Sequence, residues 1–170
     1  MPDAAFPQAR TAAALSPGRM SAAAVPGAAR RAALVVLVPA ADAAAGALRR
    51  AHDPAAARGV PAHVTLLYPL DAGVAGSGAA RAAVAAVCGA TSPFRAEFAD
   101  IGRFPGVVWL APRDAGPFLA LTRAFMACFP GVLPYGGAFE PVPHLTVGDK
   151  VRGGVCVCVW GGGLTGHPRT

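Results

Sequence analysis

The chain has 170 residues, 54% hydrophobic and 14% charged, which suffices for one sizeable core and falls short of two ordinary domains. Its formal charge of +6 sits at the ends: residues 1–31 hold four Arg against Asp3, residues 151–170 two Arg against no acid, and residues 32–150 nine bases against eight acids. A globular part so nearly neutral excludes a tight non-specific grip on long nucleic acid, four Cys without a signal-peptide pattern argue against a disulfide framework, and the longest apolar stretch, near Leu34–Ala41, is far below the roughly 20 residues that span a bilayer.

These features predict a soluble monomer with no membrane association, in a reducing compartment. That compartment is the cytoplasm, or an organelle if residues 1–31 act as a transit peptide; the segment is basic, almost free of acid and rich in Ala, Ser and Pro, and otherwise reads as a disordered leader. Next, Leu34–Val38 is a β-branched run closed by Pro39, as a buried strand is. Asp42 then fits the N-cap of a helix through Arg50, ended by His52-Asp53-Pro54.

Pro61 introduces a second strand, His63–Tyr68. A helix from Ser77 to Cys88 follows, with Gly76-Ser77-Gly78 read as a turn and Gly89 past its end. Phe94–Phe98 alternates apolar and charged residues like a half-exposed strand, Gly102–Gly106 reads as a turn, and Val107–Leu110 as another strand. Asp114, with Pro117 in the first turn, opens a helix whose stripe is Phe118, Leu121, Phe125 and Phe129 before Pro130-Gly131 stops it. The last strand is His144–Val147.

Two units therefore repeat: an apolar strand ending in proline (Pro39, Pro112), a helix, and a strand bearing His-x-Thr. Packed about a pseudo-twofold axis, they would set the two His-x-Thr strands side by side. Side chains two apart on a strand share a face, about 6.5–7 Å from one another. His63 and Thr65 thus face one space while Val64 and Leu66 face the other, and His144 and Thr146 repeat this against Leu145 and Val147.

Two imidazoles and two hydroxyls are the inventory that phosphodiester cleavage needs. Opening a cyclic phosphate takes a base to deprotonate water and an acid to protonate the leaving sugar oxygen, and imidazole, with a pKa of about 6.5, serves either purpose near neutrality. One histidine starts neutral and the other protonated; which is which depends on the surroundings of each ring, and both assignments stand at this point. Thr65 and Thr146 can donate to the non-bridging phosphate oxygens. The scheme calls for no metal or other cofactor, and no Asp, Glu or Cys sits near either histidine at ligand spacing. Trp109 reads as core, Arg103 and Arg113 as solvated surface, and Cys156-x-Cys158 lacks partners for a metal or redox site.

The segments Pro61-Ala62-His63-Val64-Thr65-Leu66-Leu67-Tyr68-Pro69 and Phe139-Glu140-Pro141-Val142-Pro143-His144-Leu145-Thr146-Val147-Gly148 resemble the paired motifs of the 2H phosphoesterase superfamily, within it the 2′-5′ RNA ligase and cyclic phosphodiesterase group. The resemblance implies an α+β, bilobal fold in which two pseudo-twofold-related antiparallel sheets with flanking helices surround a central cleft. It implies hydrolysis of 2′,3′-cyclic phosphates at RNA ends or on small cyclic nucleotides, or ligation of RNA ends, with His63 and His144 as the acid/base pair and Thr65 and Thr146 as phosphate anchors.

The domain expected is 32–150. After Lys150 the family's further helix and strands are replaced by a Gly-, Val- and Cys-rich run, so 151–170 is read as an irregular variant or intron-derived tail and the second lobe as incomplete. An inactive nucleotide- or RNA-binding protein is the alternative that such a loss would favour.

Overall fold

The computed structural model describes residues 30–150, together with the backbone of 155–160 and 163–168. The expected leader lies outside the described residues except for Arg30 and Arg31, and Arg31 already opens the first strand.

In chain order the elements are β1 (Arg31–Leu37), α1 (Pro39–His52), α2 (Pro54–Ala57), β2 (His63–Asp71), α3 (Ala72–Ala75), α4 (Gly78–Ala90), β3 (Phe98–Phe104), β4 (Val107–Pro112) and α5 (Gly116–Cys128). A 3-10 turn at Pro134–Gly137, β5 (Leu145–Asp149), β6 (Val155–Trp160) and β7 (Gly163–Pro168) complete them. The fold is α+β, but β1 to β5 form one antiparallel five-stranded sheet in the order β1-β2-β5-β4-β3, where two separate sheets were expected. The physical reason is a direct bond between the halves: β2 pairs with β5 at Val64 and Leu145, merging the two repeats across one seam.

Each repeat contributes its strands to one side of that seam, β1 and β2 from the first, β5 and β4 from the second. The core fills one face of the sheet. Leu34, Val36, Val64, Leu66, Leu67, Leu110, Leu145 and Val147 from the strands meet Ala80 and Val84 of α4 and Phe118, Leu121 and Phe125 of α5. A register shift between Leu34–Leu67 and Val35–Thr65 lets Leu66 and Leu67 both enter this layer. Truncating Phe118 or Phe125, each 1% exposed, to Ala costs about 3–5 kcal/mol.

Several boundaries moved for identifiable reasons. Pro39 closes β1 and also starts α1, because a fixed φ and a missing N–H suit the first helical turn. Asp42 consequently lies inside α1, and its carboxylate accepts the Ala62 N–H instead of capping. Ser77 does cap α4, accepting from Ala80 N at 3.1 Å. Phe94 belongs to no strand; it packs edge-on against Phe118 with ring centres 5.2 Å apart, so its alternation with Phe98 reflects core packing without a ladder.

β3 instead runs through the stretch expected to turn, and the turn is confined to Pro105-Gly106, with Gly106 at φ +76°. Gly102 is glycine because its strand lies under Trp109: a Cβ there would run into the indole ring. In the segment expected as an irregular tail, the described residues include β6 and β7, which pair from Val155–Pro168 to Trp160–Gly163 as an antiparallel two-stranded sheet.

Candidate active site

The pairing of Val64 with Leu145 determines the site. Both side chains are 0% exposed in the core layer, so their strand neighbours emerge on the opposite face. One step along this antiparallel register, His63 lies across from Thr146 and Thr65 across from His144, and all four are half-buried. The four side chains occupy the corners of a rectangle with the histidines on one diagonal. Directly opposed positions on paired strands are about 4.5–5.5 Å apart and diagonal ones about 7–8 Å.

The two halves hold their histidines alike. His63 Nδ1 lies 2.7 Å from the Pro61 carbonyl oxygen, and His144 Nδ1 lies 2.6 Å from that of Val142. A carbonyl can only accept, so in both rings Nδ1 carries the proton and donates it. The ring is thereby oriented, and Nε2 remains as the nitrogen that can meet a ligand, as base when bare and acid when protonated.

The surroundings differ. Leu37 and Val35 of β1 are the strand partners of His63 and Thr65. Across the seam, Trp109 pairs with Thr146, and His144 packs against Phe104 (5.2 Å, nearly perpendicular) and Trp109 (5.6 Å). Burial lowers the His144 pKa from the ordinary 6.5, the Val142 carbonyl opposes this, and electrostatic repulsion from the neighbouring His63 adds to the lowering. His144 is thus biased toward the neutral imidazole. Trp109, expected in the core, lines the open face instead, and its buried Nε1 has no hydrogen-bond partner.

Sequence reasoning missed Arg49. Only 1% exposed, it donates from Nη1 to Asp42 (2.8 Å), from Nη2 to Asp53 (3.0 Å) and to the Val60 carbonyl (3.3 Å), and from Nε to the Thr146 carbonyl (3.1 Å). Its signal was the placement of acids at i−7 and i+4 on a helix, on the face that also buries Ala45. Removing one partner of such a buried ion pair costs about 3–5 kcal/mol.

Other candidates stay apart from this face. Arg113 makes an exposed ion pair with Glu97 at 3.2 Å, Cys88 and Cys128 are free thiols, and an apolar hollow lined by Leu34, Leu70, Val84 and Phe129 belongs to the core side. Among the described residues, no three His, Cys, Asp or Glu gather as a metal site, and no helix is long and apolar enough to cross a membrane.

Compared with known families, residues 37–153 match the one described as the 2′-5′ RNA ligase superfamily, a stretch that contains both His-x-Thr pairs. No curated protein and no solved structure matches the chain.

Proposed function

The chain belongs to the 2′-5′ RNA ligase superfamily, which is the 2H phosphoesterase superfamily, and from that premise we propose that it hydrolyses 2′,3′-cyclic phosphates on short RNA ends or small nucleotides without a metal ion. The observation that carries this reading is the four-cornered face: two imidazoles on one diagonal, two threonine hydroxyls on the other, set by the Val64–Leu145 pair. The near-neutral charge of residues 32–150 favours a short ligand over a long polyanion.

His144 is the base. Burial favours its neutral form, and with Nδ1 donating to Val142, Nε2 is free to take a proton from water. The oxygen of that water bonds to phosphorus, and the bond from phosphorus to one sugar oxygen breaks. His63, starting protonated at Nε2, gives its proton to the departing oxygen, so a cyclic diester and water become a monoester and a hydroxyl. Thr65 and Thr146 donate to the non-bridging oxygens as charge builds on them. With an RNA hydroxyl in place of water as the nucleophile, the same forward step would open the cyclic phosphate into a diester and so ligate two ends.

The test is turnover of a 2′,3′-cyclic nucleotide by purified protein in excess chelator, with His63→Ala alongside to expose contaminating nucleases. His63-dependent release of a phosphomonoester is the expected result. Absence of turnover from folded protein would overturn the reading in favour of an inactive nucleotide-binding protein.

A further inference from the structure

The acid/base scheme leaves Arg49 unused, although its guanidinium touches both halves of the site. The seam between β2 and β5 consists of the pair Val64–Leu145 alone, whereas β1–β2 and β3–β4 are laddered along their lengths. A seam so short leaves little backbone bonding to keep the two strands from pivoting. Arg49 bridges them where the ladder ends, with Nη2 on the Val60 carbonyl, three residues before His63, and Nε on the carbonyl of Thr146 itself.

Asp42 completes the frame. Its carboxylate takes Arg49 Nη1 at 2.8 Å and the Ala62 N–H at 3.0 and 3.1 Å, immediately before His63. Asp53 holds the other side of the guanidinium and caps α2 by accepting from Ala55 N. We infer that Arg49, held by Asp42, is a positioning residue that braces the entry to β2 against β5 and so sets the spacing of the two His-x-Thr pairs. The inference rests on the proposed phosphodiesterase reading for its effect on rate. A planar fork reaches four acceptors in fixed directions, which a lysine ammonium does not reproduce, and a misplacement of about 1 Å between reacting groups costs about 10²-fold in rate.

The test compares Arg49→Lys, Asp42→Asn and the core variant Val84→Ala, each assayed well below its own melting temperature on a 2′,3′-cyclic nucleotide. Arg49→Lys is expected to lower kcat by about 10²-fold with KM little changed, Asp42→Asn to lower it less, and Val84→Ala to keep the wild-type kcat. Should Arg49→Lys fail to fold, Asp42→Asn carries the test, its side chain being 37% exposed. A folded Arg49→Lys or Asp42→Asn with wild-type kcat overturns the proposal, as does an equal loss of kcat in an equally destabilised Val84→Ala.

A second readout is independent of turnover. Titration of one histidine is expected to perturb the imidazole ¹⁵N resonances of the other in the wild type, and much less in the Arg49 and Asp42 variants. Coupling lost in those variants of a protein that turns nothing over would uphold the brace and remove the phosphodiesterase reading; turnover and coupling unaffected by either variant would do the reverse.

Discussion

The first half-site places His63 and Thr65 beside the aliphatic Leu37 and Val35; the second places His144 and Thr146 beside Phe104 and Trp109. Both bind histidine Nδ1 to the carbonyl two residues upstream, and both present their threonine across the seam from the other's histidine. What separates them is the environment around the ring. Burial, to which Phe104 and Trp109 contribute, pushes the His144 pKa down. Under the proposed mechanism, two copies of one motif divide the roles of base and acid without any change in the motif, because strand geometry aims a side chain while its neighbours bias its protonation.

The largest expected effects come from the histidines. His63→Ala and His144→Ala should each reduce kcat on a cyclic nucleotide by about 10²–10⁴-fold, measured in chelator, and the double variant should fall little further if the two act as a unit. Next come the hydroxyls. Thr65→Val and Thr146→Val keep the shape and remove a hydrogen bond to a charged group worth about 1.5–3 kcal/mol, so kcat/KM should drop by about 10–150-fold; equal losses would mean that the phosphate sits evenly between the halves.

Gly102→Ala affects the second half alone. The added methyl meets the Trp109 ring, and overpacking of this kind costs about 1–3 kcal/mol, visible as a lower melting temperature. The smallest effect should follow Phe104→Ala, which lets water reach His144. Because burial is what lowers the pKa, exposing the ring raises it, and the acidic limb of kcat/KM, below 6.5 in the wild type, should move up toward that value while the rate at alkaline pH changes little.

Much of this was legible in the sequence, and the reason is periodicity. A repeat of two residues along Val64–Leu66 and Leu145–Val147 suffices to put His63 with Thr65 and His144 with Thr146 on the face away from the core. Residues far apart in the chain were harder to read. That the halves share one sheet depends on one pair, Val64 with Leu145, which no local pattern encodes. Trp109 looked like core because it sits in an apolar strand; only the register opposite Thr146 turns it toward the site. Arg49 drew no attention in the sequence, and it is buried because acids on its own helix and at that helix's end, together with carbonyls 11 and 97 residues away, take up its donors.

The division of labour between the histidines is tested most directly by changing the leaving group. A nitrophenyl phosphodiester departs as a stable phenolate and needs no proton from the enzyme, whereas a sugar oxygen does. Assayed on both substrates, His63→Ala should lose its rate on the cyclic nucleotide and recover most of it on the nitrophenyl ester, while His144→Ala stays impaired on both. The opposite pattern, with His144→Ala recovering and His63→Ala impaired on both, would make His63 the base and contradict the account.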